Sequence, residues 1–329
     1  MESPSPKPTV FATAGKWLSF LSISFMLRWG ILLFLSYWLW NNWHDDLPVE
    51  SLTLKYAAPD SRLLRIDDMD VFCRITGKGD AIILLHDAQS SMHTWDAWTA
   101  SLSDKYKVIC VDLPGFGLTG PHPRGSYSAF MYASLLDSLA GHLDLKKFHL
   151  AGNGLGAQIA WHYASESSSG KVDKLILIAA PGFEEKKSSL VHLIARTPVL
   201  NRSLWKITPK SFIEIMLDEV YADDALVTDS LIQRHYELLL RSGNRKAFTD
   251  RASVSDNRPP ADVVEKITNP TLILWGAEDT RISPEHAYDF HRRIRGAFLK
   301  IYRNTGHWPQ EENPVQTVHD VRAFLEGKF

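Results

Sequence analysis

Short apolar runs that alternate with helix-like segments are the feature that most constrains the fold of this chain. AIILLHD is a continuous apolar run of the kind that is buried on both faces of a sheet, and KVICVDLPG, KFHLAG and VDKLILIAA follow it with helical patterns between them. Before them, SRLLRID and MDVFCRITG predict a β-hairpin that turns at Asp67 and Asp68. The alternation predicts a largely parallel sheet with helices on both faces.

The alternation is interrupted by a long segment without strand patterns. From Pro181 to roughly Pro260, amphipathic stretches such as DSLIQRHYELLLRSG predict helices, after which TLILWGAED resumes the sheet. The simplest interpretation is a helical insertion at about residues 182–260 within an α/β domain of residues 61–329.

The turn HLAGNGLGAQ, residues 149–158, has two incompatible interpretations. Its glycines fit a dinucleotide-binding turn, and they also fit a G-x-S-x-G nucleophile elbow in which Gly154 takes the place of the serine. A dinucleotide fold needs this turn after its first strand and an acidic residue at the end of the next strand. Here the turn follows the fifth strand, and Asp173 begins the next strand instead of ending it. The elbow interpretation is therefore favoured, and no cofactor is predicted.

Two further motifs occur in the order that an elbow requires. LILWGAEDTRISPEHA places Asp279 directly after a late strand, and IYRNTGHWPQEENP places His307 directly after the last one. Together with LLHD, DLPGFGLTG and the helical insertion, these motifs make residues 61–329 resemble the α/β-hydrolase family. The resemblance implies a mostly parallel, eight-stranded sheet with a helical cap.

The resemblance also implies a role for each motif residue. Asp279 would orient His307, which would act as general base for a nucleophile at position 154, while the N–H groups of Ala88 and Leu155 would bind the oxyanion. Gly154 has no hydroxyl, thiol or carboxylate, so covalent acyl transfer by the usual route cannot occur.

A second departure from the family pattern concerns the oxyanion loop. Family members usually have His-Gly at this point, whereas this chain has His86-Asp87. An ionised carboxylate close to a developing oxyanion raises the barrier, unless the carboxylate points away or is neutral.

Two hypotheses of function follow from these departures. The first is a pseudoenzyme: a membrane-anchored pseudo-hydrolase with a binding or scaffolding role and a possible small hydrophobic ligand. The alternative is an active hydrolase of small hydrophobic esters or lipids, in which Asp279 and His307 activate a water molecule. Retention of both residues favours the alternative, whereas Gly154 and Asp87 favour the first hypothesis.

The N-terminus differs in composition from the rest of the chain. WLSFLSISFMLRWGILLFLSYWLW, residues 17–40, contains Arg28 as its only charge and is long enough as a helix to cross a bilayer core of about 30 Å. It predicts a single-pass transmembrane anchor; a helix lying in the interface and a cleaved signal peptide are the alternatives. Basic residues before the run and acidic residues after it predict a cytoplasmic tail of residues 1–16 and an α/β domain on the outer side.

Composition and cysteine positions indicate which partners, disulfides and metals are expected. The net charge of −2 provides no broad cationic surface, so nucleic acid is not expected as a partner. Cys73 and Cys110 both lie in strand-like segments, where two buried thiols are favoured over a disulfide. No cluster of His and Cys has metal-ligand spacing, and no metal is predicted.

Overall fold

The computed structural model describes residues 10–166, 170–183, 197, 202–252, 254 and 261–329, with side chains of the N-terminal helix described from Phe25 onward. The chain forms two compact units, Met1–His44 and Asp45–Phe329. The first unit contains helix α1, Val10–Asn41, and the second contains the sheet.

The predicted transmembrane anchor at residues 17–40 is wrong. Among the residues that were described, no helix combines the length and the apolar character that a membrane crossing requires. The predicted single-pass topology, with a cytoplasmic N-terminus and the α/β domain outside, is therefore wrong as well. Residues 1–9 of the predicted tail lie outside the described residues.

Within the described part of the chain, eight strands form one sheet in the order β1-β2-β4-β3-β5-β6-β7-β8, which confirms the predicted mostly parallel α/β sheet. The strands are β1 Ser61–Ile66, β2 Met69–Thr76, β3 Ala81–Leu85, β4 Lys107–Val111, β5 Phe148–Asn153, β6 Val172–Ile178, β7 Thr271–Gly276 and β8 Phe298–Tyr302.

Strand pairing follows from the sequence pattern. The predicted hairpin pairs Ile66 with Met69, and β2 also runs antiparallel to β4, whereas all pairs from β4 to β8 are parallel. Every residue of β3 and of β5 is buried, as expected for strands covered on both faces. Because parallel strands end at the same edge, the loops after β3, β5, β7 and β8 meet there.

Helices cover the sheet and form the insertion. They are α2 Val49–Tyr56, α3 Asp96–Leu102, α4 Ala129–His142, α5 Leu155–Ser165, α6 Lys210–Val220, α7 Asp229–Leu240, α8 Asn244–Ala252, α9 Glu285–Arg293, α10 Pro309–Glu312 and α11 Pro314–Leu325. The described part of the insertion, called the cap below, comprises α6, α7 and α8. Side chains of α6 and α7 form a small apolar core of their own, which also includes Trp308 from the loop after β8.

The two cysteines lie on strands that pair with each other. Cys73 in β2 and Cys110 in β4 are both buried and free, which confirms the prediction of two buried thiols. Burial raises the pKa of the Cys110 thiol to about 12, so this sulfur remains protonated at neutral pH.

Close packing of α5 against the sheet requires glycine at position 156. A Cβ atom there would lie 2.1 Å from the carbonyl oxygen of Leu85, which belongs to the backbone of β3. The backbone of α5 therefore approaches β3 more closely than any other residue allows.

We expect Gly156→Ala to lower the free energy of unfolding by about 2 kcal/mol or more, because either strand β3 or helix α5 must move. Gly141→Ala in α4 is the matched control, since a Cβ at Gly141 meets no atom within 4 Å. This control should be neutral or should stabilise the protein by up to about 1 kcal/mol, because alanine favours the helix. Urea denaturation measures both variants, and equal effects would contradict the packing argument.

Candidate active site

The elbow between β5 and α5 has the backbone geometry of a strained turn. Gly154 adopts φ +51° and ψ −114°, a conformation that is costly for a residue with a side chain. Its N–H donates to the carbonyl of Ile178 at 3.0 Å, and its carbonyl accepts the N–H of Gln158 at 2.9 Å. Gly154 thus has the position predicted from sequence, and glycine relieves the strain that a serine would have to bear.

Asp279 and His307 meet at the carboxyl edge of the sheet, as predicted. Asp279 Oδ2 lies 2.8 Å from His307 Nδ1. Its other oxygen, Oδ1, accepts the backbone N–H groups of Arg281 at 2.9 Å and Ile282 at 3.0 Å. The carboxylate is therefore held rigidly, and it directs Nε2 of the imidazole toward the elbow. The catalytic role of the pair stays a prediction.

Asp87 points into the site rather than away from it. Its Oδ2 lies 3.2 Å from His307 Nε2, and its Oδ1 accepts the N–H of Leu155 at 2.8 Å. The indole N–H of Trp308 lies 3.4 Å from Oδ2. The N–H that the resemblance assigns to the oxyanion is thus bonded to a side chain of the protein itself. Ala88 follows Asp87 in the same loop and packs, partly buried, against the core.

The Asp87 carboxylate also fills the space of the missing side chain. A Cβ atom built on Gly154 would lie 1.9 Å from Asp87 Oδ1 and 2.3 Å from its Cγ. No side chain fits at position 154 unless Asp87 moves. The Asp87 carboxylate and a side chain at position 154 would therefore occupy the same volume.

Asp87, Asp279 and His307 form a buried cluster of charged groups, called the ion cluster below. Burial alone would lower the pKa of His307, but the charges and hydrogen bonds of Asp279 and Asp87 outweigh burial and raise it to about 9. Burial likewise raises the pKa of Asp87, yet the hydrogen bond and charge of His307 outweigh it and hold that pKa below its usual range. At neutral pH, His307 is a cation between two carboxylates.

His86 fixes the loop that carries Asp87. Its ring is fully buried, and burial lowers its pKa, so the ring is neutral. Nε2 accepts the N–H of Leu113 at 2.9 Å, which leaves Nδ1 to donate to the Asp87 carbonyl at 2.6 Å. The imidazole thereby connects this loop to the end of β4.

A buried amide network, which sequence reasoning missed, connects the elbow to the His307 loop. The Asn153 side chain donates to the carbonyl of His307 at 3.1 Å and accepts from Gln310 Nε2 at 3.2 Å. The same Gln310 nitrogen lies 2.8 Å from Thr94 Oγ1. No sequence signal identifies Gln310, because its partners are distant in the chain.

Aromatic side chains cover the ion cluster. Trp308 stacks on His235 of the cap, with ring centroids 5.5 Å apart and an angle of 20° between the planes, and Tyr221 meets the same indole edge-on. Beneath this cover His307 is 2% exposed, Asp87 5% and Asp279 6%. The cluster is therefore shielded from bulk water, which strengthens its charge interactions.

A small cavity of about 20 Å³ lies between the cap and the loops after β3 and β4. Gln89 and Ser90 of the Asp87 loop form one side of it, and His235 forms part of another. Its remaining walls are mainly apolar and include Phe116, Leu238 and Phe248. Asn244 also lines it, and its Oδ1 is buried without a hydrogen-bond partner among the described residues.

The ion cluster predicts a pH dependence of stability. Folding raises the pKa of His307 from 6.5 to about 9, so its stabilising contribution is complete below about pH 6.5 and is lost as the pH rises through 9. We expect the wild-type free energy of unfolding to fall by about 3 kcal/mol over this range through His307. Asp87→Asn removes one carboxylate charge and should show a clearly smaller fall in urea denaturation. An equal fall in both proteins would contradict the cluster.

Comparison with known proteins shows to which family the chain belongs. Residues 82–321 match the alpha/beta hydrolase family. An uncharacterised protein of Mycobacterium tuberculosis is 28% identical over 266 residues, which cover 77% of each chain. The 2-hydroxy-6-oxononadienedioate/2-hydroxy-6-oxononatrienedioate hydrolase of Escherichia coli K12 is 25% identical over 280 residues, 82% of this chain and 96% of the relative.

A solved structure supports the same assignment at the level of the fold. The meta-cleavage product hydrolase from Pseudomonas fluorescens IP01 superposes with a TM-score of 0.70 at 24% identity and covers 82% of this chain and 98% of its own. The family match extends from β3 into α11 and so includes the elbow, the cap and both loops that carry Asp279 and His307. The chain therefore belongs to the α/β-hydrolase family.

Proposed function

We propose that this protein is a pseudo-hydrolase toward carboxylic esters, which retains the family fold but not its serine chemistry, and that it serves in binding. The observation that carries the proposal is the position of the Asp87 carboxylate, which occupies the volume of a side chain at position 154 and bonds to both His307 and Leu155.

Serine-dependent ester hydrolysis needs three free elements: a nucleophile, a base and an oxyanion donor. Gly154 supplies no nucleophile. The base nitrogen of His307 is paired with Asp87 at 3.2 Å, and the donor N–H of Leu155 is bonded to the same carboxylate at 2.8 Å. The Asp87 side chain thus occupies both the base and the oxyanion donor.

The water-based alternative finds no support in this geometry. A water activated by His307 has to lie within hydrogen-bond distance of Nε2 and close to the oxyanion donor. Asp87 Oδ2 takes that position, because it lies 3.2 Å from Nε2 with no room for a water between them. The hydrolase activities in the names of the Escherichia coli and Pseudomonas relatives are accordingly not transferred to this chain.

The cavity beneath the cap supports the binding role. Its walls are mainly apolar, but its free volume is only about 20 Å³, so a small hydrophobic ligand requires the cap to move away from the sheet. The unpaired Oδ1 of Asn244 suits a hydroxyl or N–H donor on that ligand. The ligand would lie between the cap and the loop of Gln89 and Ser90.

Restoring the family pattern tests the proposal. We expect Gly154→Ser alone to remain inactive on p-nitrophenyl butyrate, because its Cβ would lie 1.9 Å from Asp87 Oδ1. Asp87→Gly alone should remain inactive for lack of a nucleophile. The double variant Gly154→Ser/Asp87→Gly should gain turnover by about a thousandfold or more over wild type, together with labelling of the introduced serine by a serine-directed phosphonate.

His307→Ala in the double variant is the control, and it should abolish the gained turnover because the serine loses its base. Thermal unfolding of each variant shows whether an inactive variant is folded. Ester turnover in the wild-type protein that disappears in His307→Ala would overturn the proposal.

A further inference from the structure

A segment that precedes the sheet connects the cap to the α/β core. Residues 45–56, called the strap below, consist of a non-helical stretch at residues 45–48 followed by helix α2. The strap belongs to the same compact unit as the sheet and the cap. It lies before residues 82–321, the region that matches the family. The effect of the strap on the cap is therefore not part of what the family match establishes.

The backbone of the strap pairs with the cap at the turn between α7 and α8. The N–H of Leu47 donates to the carbonyl of Leu240 at 2.7 Å, and the carbonyl of Leu47 accepts the N–H of Ser242 at 2.9 Å. Leu47 and Arg241 thereby form a parallel β-bridge. The Leu47 side chain packs, partly buried, against both the main core and the small core of the cap. Leu47 therefore contacts both layers that have to separate when the cap opens.

A buried ion pair adds to this attachment. Asp46 Oδ1 accepts the Nε–H of Arg245 at 3.2 Å and a second hydrogen bond from Nη2 of the same side chain. Asp46 Oδ2 accepts the N–H of Gly243 at 3.3 Å. The Arg245 side chain is only 3% exposed, so loss of its carboxylate partner would leave a buried charge with fewer partners, which is costly.

Helix α2 attaches the other end of the strap to the core and to the cap. On the core side, Leu52 is 2% exposed, and the carbonyl of Tyr56 accepts from His93 Nε2, in the loop after β3, at 2.8 Å. On the cap side, Glu237 of α7 accepts hydrogen bonds from Lys55 Nζ and from the Tyr56 hydroxyl, both at 2.7 Å. The cap can therefore move away from the core only if contacts of the strap are broken.

The strap contacts the part of the cap that forms a wall of the cavity. The partners of the strap named above lie within residues 237–245, and Leu238, Leu239 and Asn244 of the same segment line the cavity. The free volume of the cavity is about 20 Å³, which is room for one water molecule. A larger ligand therefore enters only if this segment moves.

We propose that the strap keeps the cap closed, and that a ligand reaches the cavity only after residues 237–245 separate from the strap. The inference concerns regulation of the binding site proposed above and rests on that proposal. Asp46 and Glu237 are the side chains that carry it. The ion pair of Asp45 with Lys206, at 2.7 Å, adds little, because both side chains are largely exposed to solvent.

The reaction of a thiol at position 90 measures opening of the cap in the full chain. Ser90 lines the cavity and is 6% exposed, so the Ser90→Cys variant places a thiol on the cavity wall. The native Cys73 and Cys110 are buried, and burial raises the pKa of the Cys110 thiol to about 12, so both should react slowly. The rate of labelling by N-ethylmaleimide at position 90, followed by peptide mass spectrometry, then reports how often the cavity opens.

We expect Asp46→Ala in the Ser90→Cys background to be labelled at least about tenfold faster at position 90 than Ser90→Cys alone, because Arg245 loses its carboxylate partner. Glu237→Gln weakens the attachment to α2 without removing a partner of Arg245, and it should raise the rate about threefold. Asp70→Ala is the matched control, since its ion pair with Arg65, at 3.0 Å, lies in the hairpin of β1 and β2. This control should match Ser90→Cys alone.

The native cysteines distinguish opening of the cap from loss of the fold. Faster labelling that is confined to position 90 supports the inference, whereas faster labelling of Cys73 and Cys110 as well shows that a variant has unfolded. If Asp46→Ala unfolds, the rate for Glu237→Gln decides. Unchanged labelling at position 90 in the folded variants would overturn the inference. This outcome leaves the proposed function intact, because that proposal depends on the turnover of p-nitrophenyl butyrate.

Discussion

The site depends on one imidazole held between two carboxylates. His307 lies 2.8 Å from Asp279 and 3.2 Å from Asp87, and all three groups are buried. Burying these charges carries a desolvation cost, which is offset because the remaining carboxylate oxygens accept backbone N–H groups of Arg281, Ile282 and Leu155. Removing one partner would leave an unpaired buried charge, so the three groups stabilise each other as a unit.

The parallel sheet makes this meeting possible. Asp87, Asp279 and His307 are far apart in the chain, yet each follows a strand that ends at the same edge. Their loops are then fixed by buried polar groups: His86 holds the Asp87 loop to β4, and the Asn153 and Gln310 amides hold the elbow to the His307 loop. The position of the three charged groups therefore depends on contacts among several loops at the carboxyl edge of the sheet.

The glycine at position 154 and the position of the Asp87 carboxylate depend on each other. A side chain at position 154 and a carboxylate at its present place exclude each other, because the Cβ and Oδ1 would be 1.9 Å apart. Glycine tolerates φ +51° without the strain that a side chain would add, and the Asp87 carboxylate reaches the same volume from a different strand end. Together, the two residues place the Asp87 carboxylate in the volume that a side chain at position 154 would occupy.

The sequence alone determined the class of the fold and the order of its motifs, and it predicted three positions of the candidate site. Buried parallel strands leave apolar runs that are visible without a structure, and Gly154, Asp279 and His307 are marked by the strands that precede them. The prediction of a membrane-spanning N-terminal run was wrong, because no helix among the described residues is both long enough and apolar enough to cross a bilayer. Only the tertiary structure decided which way Asp87 points, that Trp308 and His235 cover the site, and that Gln310 connects it to the elbow. The physical reason is that these contacts join residues distant in the chain, and a pattern of local spacing carries no information about which of them share one buried volume.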